Sequence, residues 1–120
     1  MKRIELFERA IAEKARKLKD YGINSTMFWA YRKSIEAGND SIDFGEVIWD
    51  EDIEAITECM KENGITEFTI SSTFSSLIPT LAAFEKHGFA MDGLTEVNAA
   101  YTDWQTGQRA RIPAIRMRQK

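Results

Sequence analysis

A single cysteine, Cys59, and a single histidine, His87, stand in a chain of 120 residues. One cysteine cannot close an intramolecular disulfide or supply a Cys-rich metal site, and one histidine excludes every multi-histidine motif. Proline is scarce too, at two residues, and no linker, repeat or low-complexity tract divides the chain. No apolar run approaches the ~18 residues of a membrane span, and the charged, periodic N-terminus lacks the apolar centre of a signal peptide. A cytoplasmic location is therefore expected. Neither G-x-G-x-x-G nor G-x-x-x-x-G-K-[ST] occurs, and the carboxylates do not follow EF-hand spacing, so neither a metal nor a cofactor is expected. What remains is one α/β domain over residues 1–120, long enough to bury roughly two thirds of the surface its unfolded chain exposes.

The net charge of −3 conceals a sharp division. Residues 1–33 carry nine Lys/Arg against four Asp/Glu, and residues 104–120 carry five Lys/Arg with no acid, so each end is +5. Between them, fifteen acids face only Lys61 and Lys86, which makes residues 34–103 −13. A segment of that sign repels nucleic acid and attracts a basic partner. The plainer alternative is that these acids are solvated helix faces, neutralised as the two basic ends fold back on them.

Apolar residues at Ile4, Phe7, Ile11, Ala15 and Leu18 predict a helix over residues 3–19, stopped near Gly22. A second helix, capped by Ser25 or Thr26, runs to about Ala37 and ends at Gly38-Asn39. A short strand is expected within residues 41–49. Asp50 then reads as the N-cap of a helix with Ile53, Ile56 and Met60 inward, its first turn acidic and its end at Asn63-Gly64. Residues 65–71 alternate as a strand. The serine-rich turn Ser71–Ser76 leads to a helix closed by His87-Gly88, where Pro79 in or just after the first turn costs little. Residues 94–102 and 110–118 read as a hairpin across the 103–108 turn, with Pro113 calling for a bulge or an edge position. The order is two helices, then β-α-β-α-β-β. Helical connections between the first three strands point to parallel crossovers and the short last turn to an antiparallel pair, hence a four-stranded mixed sheet with helices packed on it.

Three places could carry function. Ser72, Thr73, Ser75 and Ser76 would sit at the carboxyl end of a parallel strand and at a helix start, where open α/β sheets bind small ligands. Nucleophilic catalysis does not assemble there: His87 lies roughly 17 Å along the helix that the turn begins. No catalytic residue is assigned, and Cys59, beside Glu58 and Glu62, reads as an inert thiol. Second, Asp50, Glu51, Asp52, Glu54 and Glu58 would face a basic protein surface. Third, Trp104 at the hairpin tip, beside Arg109 and Arg111, would either contact a partner or fold back over Ile112 or Tyr101. Nucleic-acid binding by Arg16, Lys17 and Lys19 together with Arg109, Arg111 and Arg118 is disfavoured by the acidic centre.

The stretch Leu81-Ala82-Ala83-Phe84-Glu85-Lys86-His87-Gly88-Phe89 resembles the helix end of GNAT-superfamily acetyltransferases, which also finish in a strand pair. That family's acyl-CoA loop is absent from this sequence. Residues 42–117, through Ile42-Asp43-Phe44, Val47-Ile48-Trp49, the run Ile65 to Ile78, Gly93-Leu94-Thr95-Glu96-Val97 and Ile112-Pro113-Ala114-Ile115, resemble a family of small uncharacterised proteins of gut Firmicutes and their mobile elements. The resemblance implies a mobile-element context, in which small proteins often interfere with host defence. The expectation is a non-enzymatic module that binds a basic protein, such as a defence nuclease, through an acidic surface. The alternative is a small-ligand or acyltransferase-like domain built on the Ser71–Ser76 turn. The sequence does not set the oligomeric state.

Overall fold

The computed structural model describes residues 1–120. The first helix, α1 (Glu5–Ala12), buries Phe7 and Ala10 behind the buried Ile4. It stops well short of residue 19, because Lys14 adopts a left-handed φ of +52°. The Lys14 N–H then reaches the Ile11 carbonyl and the Ala15 N–H the Ala10 carbonyl, the paired bonds of a Schellman closure. The apolar spacing continues through Ala15 and Leu18 although the helix does not, which is why periodicity alone overran its end. A short 3-10 turn, Leu18–Tyr21, follows.

Helix α2 (Ser25–Ala37) is capped one residue earlier than expected: the Asn24 side chain accepts the Met27 N–H at 3.0 Å. Thr26, freed from capping, donates instead to Asp52. Strand β1 is only Asp43–Phe44, the chain leaving the sheet at Gly45. Asp50–Asp52 form a 3-10 turn that leads into α3 (Ile53–Glu62), and no side chain caps that entry, so Asp50 is not an N-cap. Strand β2 (Glu67–Ile70), α4 (Leu77–Lys86), β3 (Phe89–Thr102) and β4 (Arg109–Gln119) complete the chain.

The sheet order is β1-β2-β4-β3. β1 and β2 are parallel neighbours, while β4 is antiparallel to both β2 and β3. Strands β1, β2 and β3 therefore share one direction, as their helical connections require. The return strand β4 fills the space between β2 and β3, so β2-α4-β3 is a split crossover. β4 pairs with β2 only from Ile115 to Arg118. Pro113 lies beyond that stretch on a locally free edge, and its missing N–H costs no bond to β2.

Aromatic packing joins the layers. The Phe68 ring centroid lies 5.5 Å from Phe44, 5.0 Å from Phe84 and 5.4 Å from Phe89, tying β1, β2, β3 and α4 together. Phe7 packs on Phe28 and Tyr31, fixing α1 to α2. Fully burying each such ring contributes on the order of 1.5–3 kcal/mol. The far end of α2 is held to β3 by polar bonds: the Asn39 side chain accepts the Asn98 N–H at 2.7 Å and donates to the Asn98 carbonyl at 3.1 Å.

Candidate functional site

Because β1 and β2 are parallel, both carboxyl ends emerge at one edge, with Gly45 after one and Ser71 after the other. Helix α2 and the distal half of the β3–β4 hairpin stand over that edge and enclose a cleft of about 400 Å³. Of the large apolar side chains that the fold leaves exposed, Trp29, Val47, Trp49 and Tyr101 all line it. Concentrating them at one concavity makes it the natural place for a ligand or a partner's side chain. Asp43 forms part of the lining, and its carboxylate accepts from Thr69 Oγ1 at 2.7 Å and Ser71 Oγ at 2.6 Å.

Ser71 opens onto this cleft, whereas Ser72, Thr73, Ser75 and Ser76 lie outside its lining. The Ser72 N–H is bonded to the Phe44 carbonyl at 3.2 Å, and Thr73, Ser75 and Ser76 are exposed along the approach to α4. His87 sits at the opposite end of α4, so the turn's hydroxyls have no imidazole beside them. The Cys59 thiol is pushed above its usual range by burial and by the Glu62 charge, against a smaller opposing bond from Asn63. That keeps it protonated at neutral pH.

The acidic residues divide into two kinds. Asp50, Glu51, Glu54 and Glu58 are exposed, and no Lys, Arg or His comes within 4.0 Å of their carboxylates. Lys61, the one base in their stretch, turns its ammonium toward Gly88, 3.1 Å from where a β-carbon there would stand. The basic tail is engaged elsewhere. Arg118 pairs with Glu67 at 3.0 Å and Asp92 at 3.1 Å, and Lys120 with Glu85 at 3.7 Å. Asp52 is the other kind: it accepts Asn24 Nδ2 and Thr26 Oγ1, each at 2.9 Å, and so holds the start of α2.

Trp104 is 88% exposed at the tip of the hairpin and does not fold back over Ile112 or Tyr101. The two arginines near it in sequence serve the hairpin itself. Arg109 donates to the Ala99 and Ala100 carbonyls, and Arg111 to Asn98 Oδ1 and the Glu96 carbonyl. Trp29, Val47 and Tyr101 as cleft residues were not readable from spacing, since only the hairpin's overhang brings Tyr101 to α2. Trp49 was readable, at the end of an apolar run arriving at the same edge as Ser71.

Among known proteins, the model of a domain of unknown function matches residues 26–119. No curated protein and no solved structure matches the chain.

Proposed function

The chain belongs to the family of that domain of unknown function, DUF7698, and from this premise we propose that it is a non-enzymatic protein-binding module that engages a basic surface. The carrying observation is the set of exposed carboxylates at Asp50, Glu51, Glu54 and Glu58 with no cation in ion-pair range. Unpaired surface charge of one sign steers a partner of the other sign and fixes its orientation. Trp49, 61% exposed and next in sequence to Asp50, supplies an apolar anchor at the same place. Asp52 is occupied within the fold and contributes indirectly. The resemblance to mobile-element proteins supports a nucleic-acid-reading partner, a host-defence nuclease, whose basic groove the carboxylates would fill. The variant Glu51→Lys/Glu54→Lys/Glu58→Lys should keep its melting temperature and lose capture of such a nuclease. Capture of the nuclease at wild-type level by this variant overturns the proposal.

A second reading rests on the cleft. Its position at the carboxyl ends of parallel strands, with Ser71 at its edge, suits a small ligand, including the acyl donor that the GNAT resemblance would imply. A ligand there raises the melting temperature by mass action. Thermal-shift titration with nucleotides, acyl-CoA and phosphosugars tests it, and a flat response to all of them removes it.

A further inference from the structure

Helix-ending closures of one kind occur four times in this chain. At each, the left-handed residue bonds back three positions and its successor bonds back five: Gly22 and Ile23, Gly38 and Asn39, Gly64 and Ile65, and finally Lys14 and Ala15. Glycine takes the left-handed position in three of them, because a side chain there costs roughly 1–2 kcal/mol. Lysine takes it only after α1, and it is the only non-glycine residue in the chain with positive φ.

That lysine stands on the rim of a groove of about 840 Å³ between α1, residues 14–19 and the start of α2. Arg16, Lys17, Lys19 and Arg32 line the same groove, and no aspartate or glutamate does. None of these five cations takes part in an ion pair. Trp29, 50% exposed, also lines the groove, and the Arg32 guanidinium lies 5.6 Å from its ring centroid. A cationic groove with a flat indole and guanidinium offers both things a nucleic-acid strand needs: charge for the phosphates and a stacking face for a base.

We propose that this groove binds a short single-stranded segment of nucleic acid, with its phosphates on Lys14, Arg16, Lys17 and Lys19 and a base on Trp29. The stacking face favours a nucleic acid over an acidic peptide, which would use the cations alone. The acidic segment does not forbid the site; it bounds it. Asn24, in the groove lining, is bonded to Asp52, so negative charge begins where the groove ends. The footprint is correspondingly a few nucleotides. Arg109, Arg111 and Arg118 take no part, being bonded to the hairpin or to Glu67 and Asp92.

The test is fluorescence anisotropy with a labelled oligothymidylate of about ten nucleotides. Four phosphate contacts predict a loss of about 50-fold in affinity between roughly 50 and 200 mM salt. Trp29→Ala should weaken binding about fivefold or more, and Trp29→Phe should restore it. Arg16→Glu/Lys17→Glu should abolish binding. Lys14→Gly should weaken it while the melting temperature holds or rises, since glycine relieves the left-handed backbone; this keeps loss of a contact distinct from loss of the fold. The proposal is overturned if the oligonucleotide fails to bind at 50 mM salt, or if Trp29→Ala binds as wild type. It is equally overturned if polyglutamate or a mononucleotide competes as well as the oligonucleotide itself.

Discussion

Truncating Asp52 to alanine separates a carboxylate that builds the fold from those that stand free beside it. Its two oxygens accept from Asn24 Nδ2 and Thr26 Oγ1, and Asn24 in turn accepts the Met27 N–H that opens α2. Hydrogen bonds to a charged group contribute about 1.5–3 kcal/mol each. All three side chains are half-buried, so water replaces part of what is lost. A net cost of about 2–3 kcal/mol for Asp52→Ala follows, including some weakening of the Asn24 cap. At an unfolding entropy of about 2.1 cal/mol/K per residue, a domain of this length loses roughly 4 °C per kcal/mol, giving a fall of about 8–12 °C. Urea titration and calorimetry read the two quantities independently. Glu54→Ala and Glu58→Ala, which break no ion pair, should each stay within about 0.5 kcal/mol of wild type. In the double variant with Thr26→Val the two losses should fall short of additive by about 1 kcal/mol, because they share a bond. An Asp52→Ala protein within 0.5 kcal/mol of wild type would refute the clamp and return Asp52 to the free carboxylates.

Other perturbations probe other links. Trp104→Ala should leave the urea midpoint within about 0.5 kcal/mol of wild type, as its exposure requires; a larger fall would mean that the hairpin tip packs against the body in solution. Asp43→Ala leaves the hydroxyl of Thr69, 3% exposed, without its acceptor, a cost of about 1–3 kcal/mol by denaturant titration; an unchanged midpoint would show the bond to be replaceable. The Tyr31 hydroxyl is pushed above 10.0 first by burial and then by its bond to Glu8. Its contribution is thus complete below pH 10 and lost as pH rises through the folded value, so Tyr31→Phe should flatten the alkaline fall in melting temperature, and an unchanged slope would assign that fall to other groups. Iodoacetamide should label Cys59 more slowly at pH 8 in the native protein than in urea, and equal rates would contradict the raised thiol.

Element type was legible wherever one period dominated. The stripe Met27, Phe28, Tyr31 and Ile35 marked α2, and the glycines at 38 and 64 marked two helix ends, because at those positions sequence and backbone demand the same thing. The misreadings share a cause. Ala15 and Leu18 continue the apolar spacing of α1 because both are half-buried against the core, but they reach it from the turn and the 3-10 segment after the helix. Val47, Ile48 and Trp49 read as strand, yet only Ile48 is buried; the other two are apolar because they line a cleft. Asp50 resembled a cap by residue type, whereas the neighbouring carboxylate of Asp52 is the one that makes bonds, and it bonds to the other helix. Hydrophobicity reports burial or contact and does not report the backbone that delivers it.

The site depended on a choice that no local signal encodes. A hairpin following α4 can add its strands outward from β2 in either order, and each order satisfies the same alternation. Pro113 narrows the choice only in combination with length. β4 pairs its β2-facing edge over four residues, Ile115 to Arg118, and extending that pairing toward the hairpin tip past Ala114 would bring the N–H-less Pro113 into the ladder. With β2 ending at Ile70, the remaining half of the hairpin must pass the sheet edge unpaired on that side. That overhang carries Tyr101 toward Trp29 and Trp49, and it docks on α2 through Asn39 and Asn98. The cleft therefore follows from the mismatch between a four-residue β2 and an eleven-residue β4. Lengthening β2 would close it, whatever side chains lined it.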